Sequence, residues 1–447
     1  MMRSLGFKFL VMGVLAVLLL VPLGGIRGLV QERQRTRDAA VQEIARGSGL
    51  SQTVTGPVLV LPTHHSVQEW VEDPRSRERR LQERDVIELQ YVLPEKFDAS
   101  TRLATERRQR GIHEARLYRG TVHLSARFAM PARDPALRYG RPWLAVGIAD
   151  VRGIGAGLAV RANDGVLTVE PGTGTGLLAN GIRALLPEGA ATMDANAWQV
   201  EVDLPLQGTS EFHVVPVGRD STLAIASDWP HPSFNGDLLP VSREVGEQGF
   251  EARWQTSFFA TELPQRVQAC AREPACRGLQ APTWGVSFID PVDQYLRTDR
   301  AIKYGLLIIT LTFGGFFLCE LLLKRSLHPV QYGLVGLSLA FFFLLLLSFA
   351  EHIGFGAAYV LSALASVGLL GSYVGSVLAG RQRGLVFAAC LSALYALLYV
   401  LLGSEDYALL MGSILLFAAL SLFMLVTRRI DWGRVGVAND AMPGKDQ

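Results

Sequence analysis

Few residues in this chain could carry chemistry. Four cysteines and eight histidines are spread over 447 residues, and they do not fall at metal-site spacing. Glu351-His352 lacks the second histidine of a zinc-protease pattern, and His64-His65, His123 and His213 have no companion ligand at useful spacing. No serine or cysteine sits in a nucleophile elbow or another local signature of covalent catalysis. The glycine-rich Pro171-Gly172-Thr173-Gly174-Thr175-Gly176 ends without the Lys-Ser or Lys-Thr of a phosphate loop, so it reads as a turn between strands. Excess charge is missing too: 43 Lys and Arg against 41 Asp and Glu leave +2, which gives no electrostatic footprint for nucleic acid. The expectation is a protein that is not an enzyme, with no catalytic residue, no cofactor and no metal.

What the chain has in quantity is apolar length. Runs at residues 304–323, 332–350, 355–378, 385–402 and 407–426 are each about long enough to cross a bilayer as a helix. The loops that follow them alternate in sign: Lys324, Arg325 and His328, then Glu351 and His352, then Arg381 and Arg383, then Glu405 and Asp406, then Arg428, Arg429 and Arg434. Lys and Arg in short loops stay in the cytoplasm. The first of these helices therefore runs inward, and everything just before it lies outside. An earlier run, residues 9–26, follows Arg3 and Lys8 and would carry the chain outward, making six spans with the termini 1–8 and 427–447 both cytoplasmic. The alternative for that run is a cleaved signal peptide, although it is long for one and has no clear A-x-A site.

Residues 27–302 then form a large extracytoplasmic domain. Its first 20 residues continue the membrane helix until Gly47, Ser48 and Gly49 end it. Beyond them the period becomes two: Ile87, Leu89, Tyr91 and Leu93; Leu124, Ala126, Phe128 and Met130; Trp198, Val200, Val202 and Leu204; Phe250, Ala252 and Trp254. Half-buried strands separated by Gly- and Pro-rich turns predict a mainly β, antiparallel, sandwich-like domain, with a possible subdivision near 132–142. The charged segment Glu72–Arg84 reads as an exposed loop. Cys270 and Cys276 are disulfide candidates across a short loop containing Pro274, with two free thiols as the alternative. The segment from Ser227 to Pro240 is dense in proline and aromatic residues, and Trp229, His231, Phe234 and Asp237 in it are candidates either for partner recognition or for a structural corner.

Glu320 is the one acid inside a predicted span. It is by default a functional candidate, but it lies within a turn of the cytoplasmic end and four residues before Lys324, which favours a structural pair over a proton relay. Gly333, Gly336, Ser338, Gly368, Gly371, Ser372, Gly375 and Ser376 read as packing faces between helices. There is no internal repeat of the transporter kind.

Three blocks carry a resemblance. They are Trp229–Leu239 with Arg243-Glu244-Val245, Gly249-Phe250 and Trp254-Gln255; Asp293-Gln294-Tyr295 with Thr298-Asp299-Arg300-Ala301 and Lys303-Tyr304; and Leu327-His328-Pro329-Val330-Gln331-Tyr332 with Leu334 to Leu339. In order and spacing, the chain resembles the CreD family of bacterial inner-membrane proteins over nearly its whole length. The resemblance implies a place in the inner membrane, a contribution to cell-envelope integrity, and a link to a two-component response bearing on β-lactam resistance. It brings no catalytic residue. The expected partners are the lipid bilayer and an envelope protein, lipid or cell-wall component; a transporter or channel, and a periplasmic enzyme acting on lipid or cell wall, are the competing readings.

Overall fold

The computed structural model describes residues 5–428 apart from 73–78, 132–133, 136, 164, 189–196, 274–275, 277, 289–293, 324–326, 379 and 404–407. The chain divides into two compact units, Met1–Asp38 with Val292–Gln447, and Ala39–Pro291. The first apolar run forms helix α1 (Leu5–Leu18), continued after Leu19 by α2 (Leu20–Ser48). The break between them has a local cause. Pro22 has no amide hydrogen, so the Leu18 carbonyl four residues back has no helical partner, while Leu19 and Leu23 still donate to the Leu15 and Leu19 carbonyls. The helix ends at Gly49, whose φ of +98° is the left-handed turn that glycine adopts without a side-chain clash.

Past Gly49 the chain forms strands. In order they are β1 (Gln52–Glu72), β2 (Arg79–Val92), β3 (Lys96–Arg110), β4 (His113–Phe128), β5 (Arg138–Tyr139) and β6 (Trp143–Ile148). Then come β7 (Ala159–Ala162), β8 (Gly165–Val166), β9 (Val169–Pro171), β10 (Gly181–Leu185), β11 (Trp198–Thr209) and β12 (Glu211–Val215). The last are β13 (Asp220–Ser227), β14 (Pro232–Gly236), β15 (Ser242–Gly246), β16 (Gly249–Ser257) and β17 (Trp284–Phe288), with helices α3 (Phe258–Thr261) and α4 (Leu263–Arg272) before β17. One sheet runs β14-β17-β12-β1-β6-β10-β9, with β2 and β5 also paired to β1; the other runs β15-β16-β13-β3-β4-β11-β7-β8.

Alternation along the strands builds the core. In β11, Trp198, Val200, Val202, Leu204 and Leu206 are buried while Gln199 and Glu201 face out. Phe97, Phe128, Phe212, Trp254 and Trp284 are all but fully buried in the same cluster, and a large apolar side chain so placed contributes roughly 1.5–3 kcal/mol. Pairing is antiparallel except for β1 with β12 and β13 with β3. Parallel neighbours need long crossovers, and here the chain visits the opposite sheet between the paired strands. The stretch 132–142 contributes β5, which pairs with Thr63 and His64 of β1.

Two segments depart from the sequence expectations. The charged stretch 72–84 is not wholly a loop: Glu72 pairs with Arg79 and Trp70 with Leu81, extending a two-stranded ribbon. Val67, Trp70 and Leu81 are exposed there, so no buried alternation marks it. Helix α4 was hidden for another reason, since it buries little more than Leu263 and Val267.

The helical unit holds α1, the start of α2, and α5 (Gln294–Lys303), α6 (Gly305–Leu323), α7 (Pro329–Ile353), α8 (Phe355–Val377), α9 (Arg381–Gly403) and α10 (Ala408–Thr427). Among the described residues five helices are long and apolar enough to cross a membrane, and α5 with α6, bent by 45°, makes a sixth if the pair is one span. Leu19, Leu23, Ile26 and Val30 of the N-terminal helix lie in the same core as Phe313, Phe316, Val335, Leu339 and Phe343. That helix is therefore a packed member of the bundle. A Cβ on Gly336 would lie 2.1 Å from Leu19 Cδ1, and one on Gly384 2.5 Å from the Gly371 carbonyl, so small residues do set these approaches. Gly368 opens on empty space instead, and Ser372 and Ser376 face outward and bond back to their own helix.

Candidate functional site

Glu320 sits near the end of α6, 5% exposed. Its Oε1 accepts from the Lys8 ammonium and, at 3.2 Å, from the Leu327 amide; its Oε2 accepts from the Tyr332 hydroxyl at 2.8 Å. Lys324, the partner expected from spacing, lies outside the described residues. The actual cation comes from α1. A signal for it existed: helices running in opposite senses put Lys8, near the start of the first, and Glu320, near the end of the second, at one depth. Both carboxylate oxygens are committed, which suits a clasp better than a relay.

At the opposite ends of these helices is a second cluster that the sequence did not announce. The Tyr295 hydroxyl donates to Glu351 at 3.2 Å, Arg33 lies 3.7 Å from the same carboxylate, and Asp299 binds both Arg27 and Lys303 at 2.9 Å. Glu351, expected in a solvated loop, is inside α7 with its side chain 10% exposed. The short α5, taken as part of the soluble domain, buries Tyr295, Thr298, Ala301 and Ile302 against the bundle.

In the β unit, Trp229 and Phe234 are the aromatic side chains of the Ser227–Pro240 segment that pack inward, while His231 and Asp237 are exposed. Trp229 is buried, donates from Nε1 to the His231 carbonyl at 2.8 Å, and has the Arg116 guanidinium 3.9 Å above its ring. Phe234 packs edge-on against Phe250 and Trp254. Asp237 accepts from the Thr283 amide at 2.9 Å, and Asp228 from the Thr105 amide at 2.9 Å. The aromatic faces are thus used up in holding two sheets together, while Leu239 and Val241 just beyond are left exposed. Cys270 and Cys276 form a disulfide with Cα atoms 5.3 Å apart. In the glycine-rich turn, Thr173 is buried, donates to the Leu178 carbonyl at 2.6 Å and accepts from Trp143 Nε1 at 2.9 Å.

Hydrogen bonds also hold the chain where it leaves α2 for β1. Asp150 accepts from Arg152 Nε and Nη2 at 2.8 Å and from the Leu50 amide at 3.0 Å, and Arg152 donates to the Arg46 carbonyl at 3.2 Å. The hydrogen-bonded guanidinium holds the Asp150 carboxyl down to about 2. Gln52 bridges the Asp150 and Gln207 carbonyls. Burial pushes the Tyr118 hydroxyl nearby well up from its ordinary range, and it donates to the Glu211 carbonyl at 2.6 Å.

An open groove of 670 Å³ crosses the outer face of the eight-stranded sheet. Strand register lines up its floor: Arg253 beside Ala224, Ala224 beside Ser100, Ser100 beside His123, His123 beside Asp203. The next row reads Gln255, Thr222, Asp98, Ser125, Glu201. A second hollow, lined by Arg102, Thr121, Ala226 and Glu251, continues it. Small side chains on the three middle strands form the floor, and longer polar ones on either side form its walls. Among the described residues no three His, Cys, Asp or Glu side chains gather as a metal site. Sequence alternation gave the outward face of β4, β11 and β16 but not of β3 and β13; which outward residues become neighbours depended on a strand order that alternation does not contain.

Comparison with known proteins gives the same outline. The family model described as inner membrane protein CreD matches residues 4–433. The inner membrane protein CreD of Escherichia coli (strain K12) is 37% identical over 422 residues, covering 93% of this chain and 91% of that protein. Among solved structures, an M1 zinc metallopeptidase with a bound peptide substrate, from Deinococcus radiodurans, aligns over 44% of this chain and 42% of its own at 9% identity with a TM-score of 0.21. A likeness that slight carries no argument about fold or activity.

Proposed function

Because the chain belongs to the CreD family of inner membrane proteins, we propose that its β unit works outside the cytoplasmic membrane, binding or organising another envelope component and so contributing to cell-envelope integrity. The orientation follows from loop charge: Arg381, Arg383 and Arg428 after their helices mark the cytoplasmic side, and both termini share it. Protease added to spheroplasts should then digest residues 39–291, and digestion only in inside-out vesicles would reverse the assignment.

The observation that carries the binding role is the groove on the eight-stranded sheet. Its floor is built from Ser100, Ser125, Thr222, Ala224 and Ala226, flanked by hydrogen-bonding side chains. Most of the large apolar groups of this unit are spent on the core, and the groove is a concavity with convergent polar groups. The role is non-catalytic, in keeping with a sequence that has no nucleophile elbow and no phosphate loop. The helices anchor; the committed oxygens of Glu320 speak against a conduit. Replacing Ala224 by Trp in the full-length protein fills the groove without touching the core. Cells carrying it at normal abundance should admit detergent and dye as cells lacking the protein do. An intact barrier in those cells would overturn the role.

A further inference from the structure

The groups lining the groove divide into those already satisfied and those left open. Every carboxylate on the lining has a partner: Asp98 with Thr222 at 2.6 Å and Lys96 at 3.1 Å, Asp203 with His123 and Arg161 at 2.7 Å, Glu201 with Arg161 at 3.6 Å, and Glu251 with Arg102 at 3.7 Å. Arg253, Gln255, Ser100, Ser125 and Ser242 have side chains without a hydrogen bond or ion pair among the described residues. Among the described residues Arg253 is therefore the one lining arginine with no ion-pair partner. A sheet face spends its backbone N–H and C=O groups on the ladder, so recognition here must come from side chains alone. Those on offer are hydroxyls, one amide and one guanidinium.

We propose that the groove holds an acidic carbohydrate chain, its hydroxyls and amides meeting Ser100, Ser125, Ser242 and Gln255 and its carboxylate meeting Arg253. The inference rests on the binding role set out above. A polyanion such as nucleic acid is disfavoured by four carboxylates on the lining, and a purely neutral sugar leaves Arg253 unused. The guanidinium matches a carboxylate through two parallel N–H donors. Width agrees: Arg253 and His123 stand on strands three steps apart, about 14 Å at the usual strand spacing, with only Ala224 and Ser100 between them. Val241 at the rim, 73% exposed, gives an apolar contact for the C–H face of a sugar ring.

The test uses the full-length protein in detergent with three soluble probes: alternating N-acetylglucosamine and N-acetylmuramic acid oligosaccharides, N-acetylglucosamine oligosaccharides of equal length, and uronic acid oligomers. The carboxylate-bearing amino-sugar chain should bind about tenfold more tightly than the neutral one, the usual effect of a charge-assisted hydrogen bond. Uronic acid oligomers, with a carboxylate but no acetamido group, should fall between them. Arg253→Gln should bring acidic and neutral chains to within about twofold, Arg253→Lys should keep part of the difference, and Ala224→Trp should abolish binding of all three. Unfolding midpoints equal to wild type certify the variants. Equal binding of acidic and neutral chains, or an unchanged preference in Arg253→Gln, overturns the acidic-carbohydrate assignment. If no probe binds while Ala224→Trp still breaks the envelope barrier, the ligand class is wrong and the binding role stands. If no probe binds and the barrier is intact, both fall.

Discussion

Glu320 and Arg253 show how differently the two units handle a conspicuous charge. Glu320 lies in an apolar bundle, 5% exposed, with Lys8, Tyr332 and the Leu327 amide on its two oxygens. Arg253 stands on a wet sheet face with no partner among the described residues. A buried charge is tolerated only when its hydrogen-bonding capacity is met from within, so the completed one records a structural need. The open one stays hydrated and is free to meet a ligand, as proposed above. Degree of satisfaction, more than unusual position, separates a clasp from a site.

The largest expected effect tests the clasp. Glu320→Ala should cost roughly 3–5 kcal/mol, because it leaves the Lys8 ammonium without its carboxylate; unfolding of the purified protein in detergent would measure it. Joint replacement of Lys8 and Glu320 by Met should recover much of the loss, and Glu320→Gln should preserve the envelope barrier. Abolished barrier function in Glu320→Gln at normal protein level would make this acid functional and dissolve the contrast.

Next comes the proline-rich corner. Trp229→Ala should cost about 3 kcal/mol, since it empties a core position and strands the Arg116 stack; the shift in thermal midpoint reads it. A variant of normal stability that fails in the cell would return this segment to the recognition class.

A smaller effect belongs to Asp150. Its carboxyl titrates near 2 in the folded protein, against an ordinary value of 3.8, because of the bonded Arg152. The unfolded chain therefore binds the proton first as pH falls. The contribution is complete above about pH 4 and is lost as pH drops through about 2, and with Arg152 half in solvent it amounts to about 1–2 kcal/mol. Stability of wild type and Asp150→Asn measured from pH 6 to 2 should converge at the acid end. Curves that stay parallel would show that Asp150 has no such role.

Arg253→Gln should change stability least, within about 0.5 kcal/mol, as expected of an exposed side chain with no hydrogen bond or ion pair among the described residues. Its effect belongs to binding. A large loss of stability would mean that Arg253 has a structural partner, and the comparison would fail from the other side.

Much of the outline was readable in the residues. Apolar runs of bilayer length, the alternation of β11 and β16, and the helix stop at Gly49 are local properties, each decided within a turn or a strand. The bend before α6 and the burial of Glu351 were not readable, because α5 is short and polar on one side and its apolar face shows only against the bundle. The outer end of the β1–β2 ribbon escaped for the opposite reason, since Trp70 and Leu81 there are exposed and no alternation betrays it. At the glycines of α8, sequence marked Gly368 and Gly371 alike, yet only Gly371 meets a neighbouring helix.

Sequence alone determined what each segment is: membrane-length helix, half-buried strand or turn, together with the family and the absence of familiar catalytic signatures. Tertiary structure alone decided who meets whom. Lys8 reaches Glu320 across 312 positions of chain, and Arg253, Ala224, Ser100 and His123 become neighbours only through the order β16-β13-β3-β4. Periodicity depends on hydrophobic burial, which each residue expresses by itself, whereas a site depends on pairings between distant residues that exist only once the chain has closed on itself.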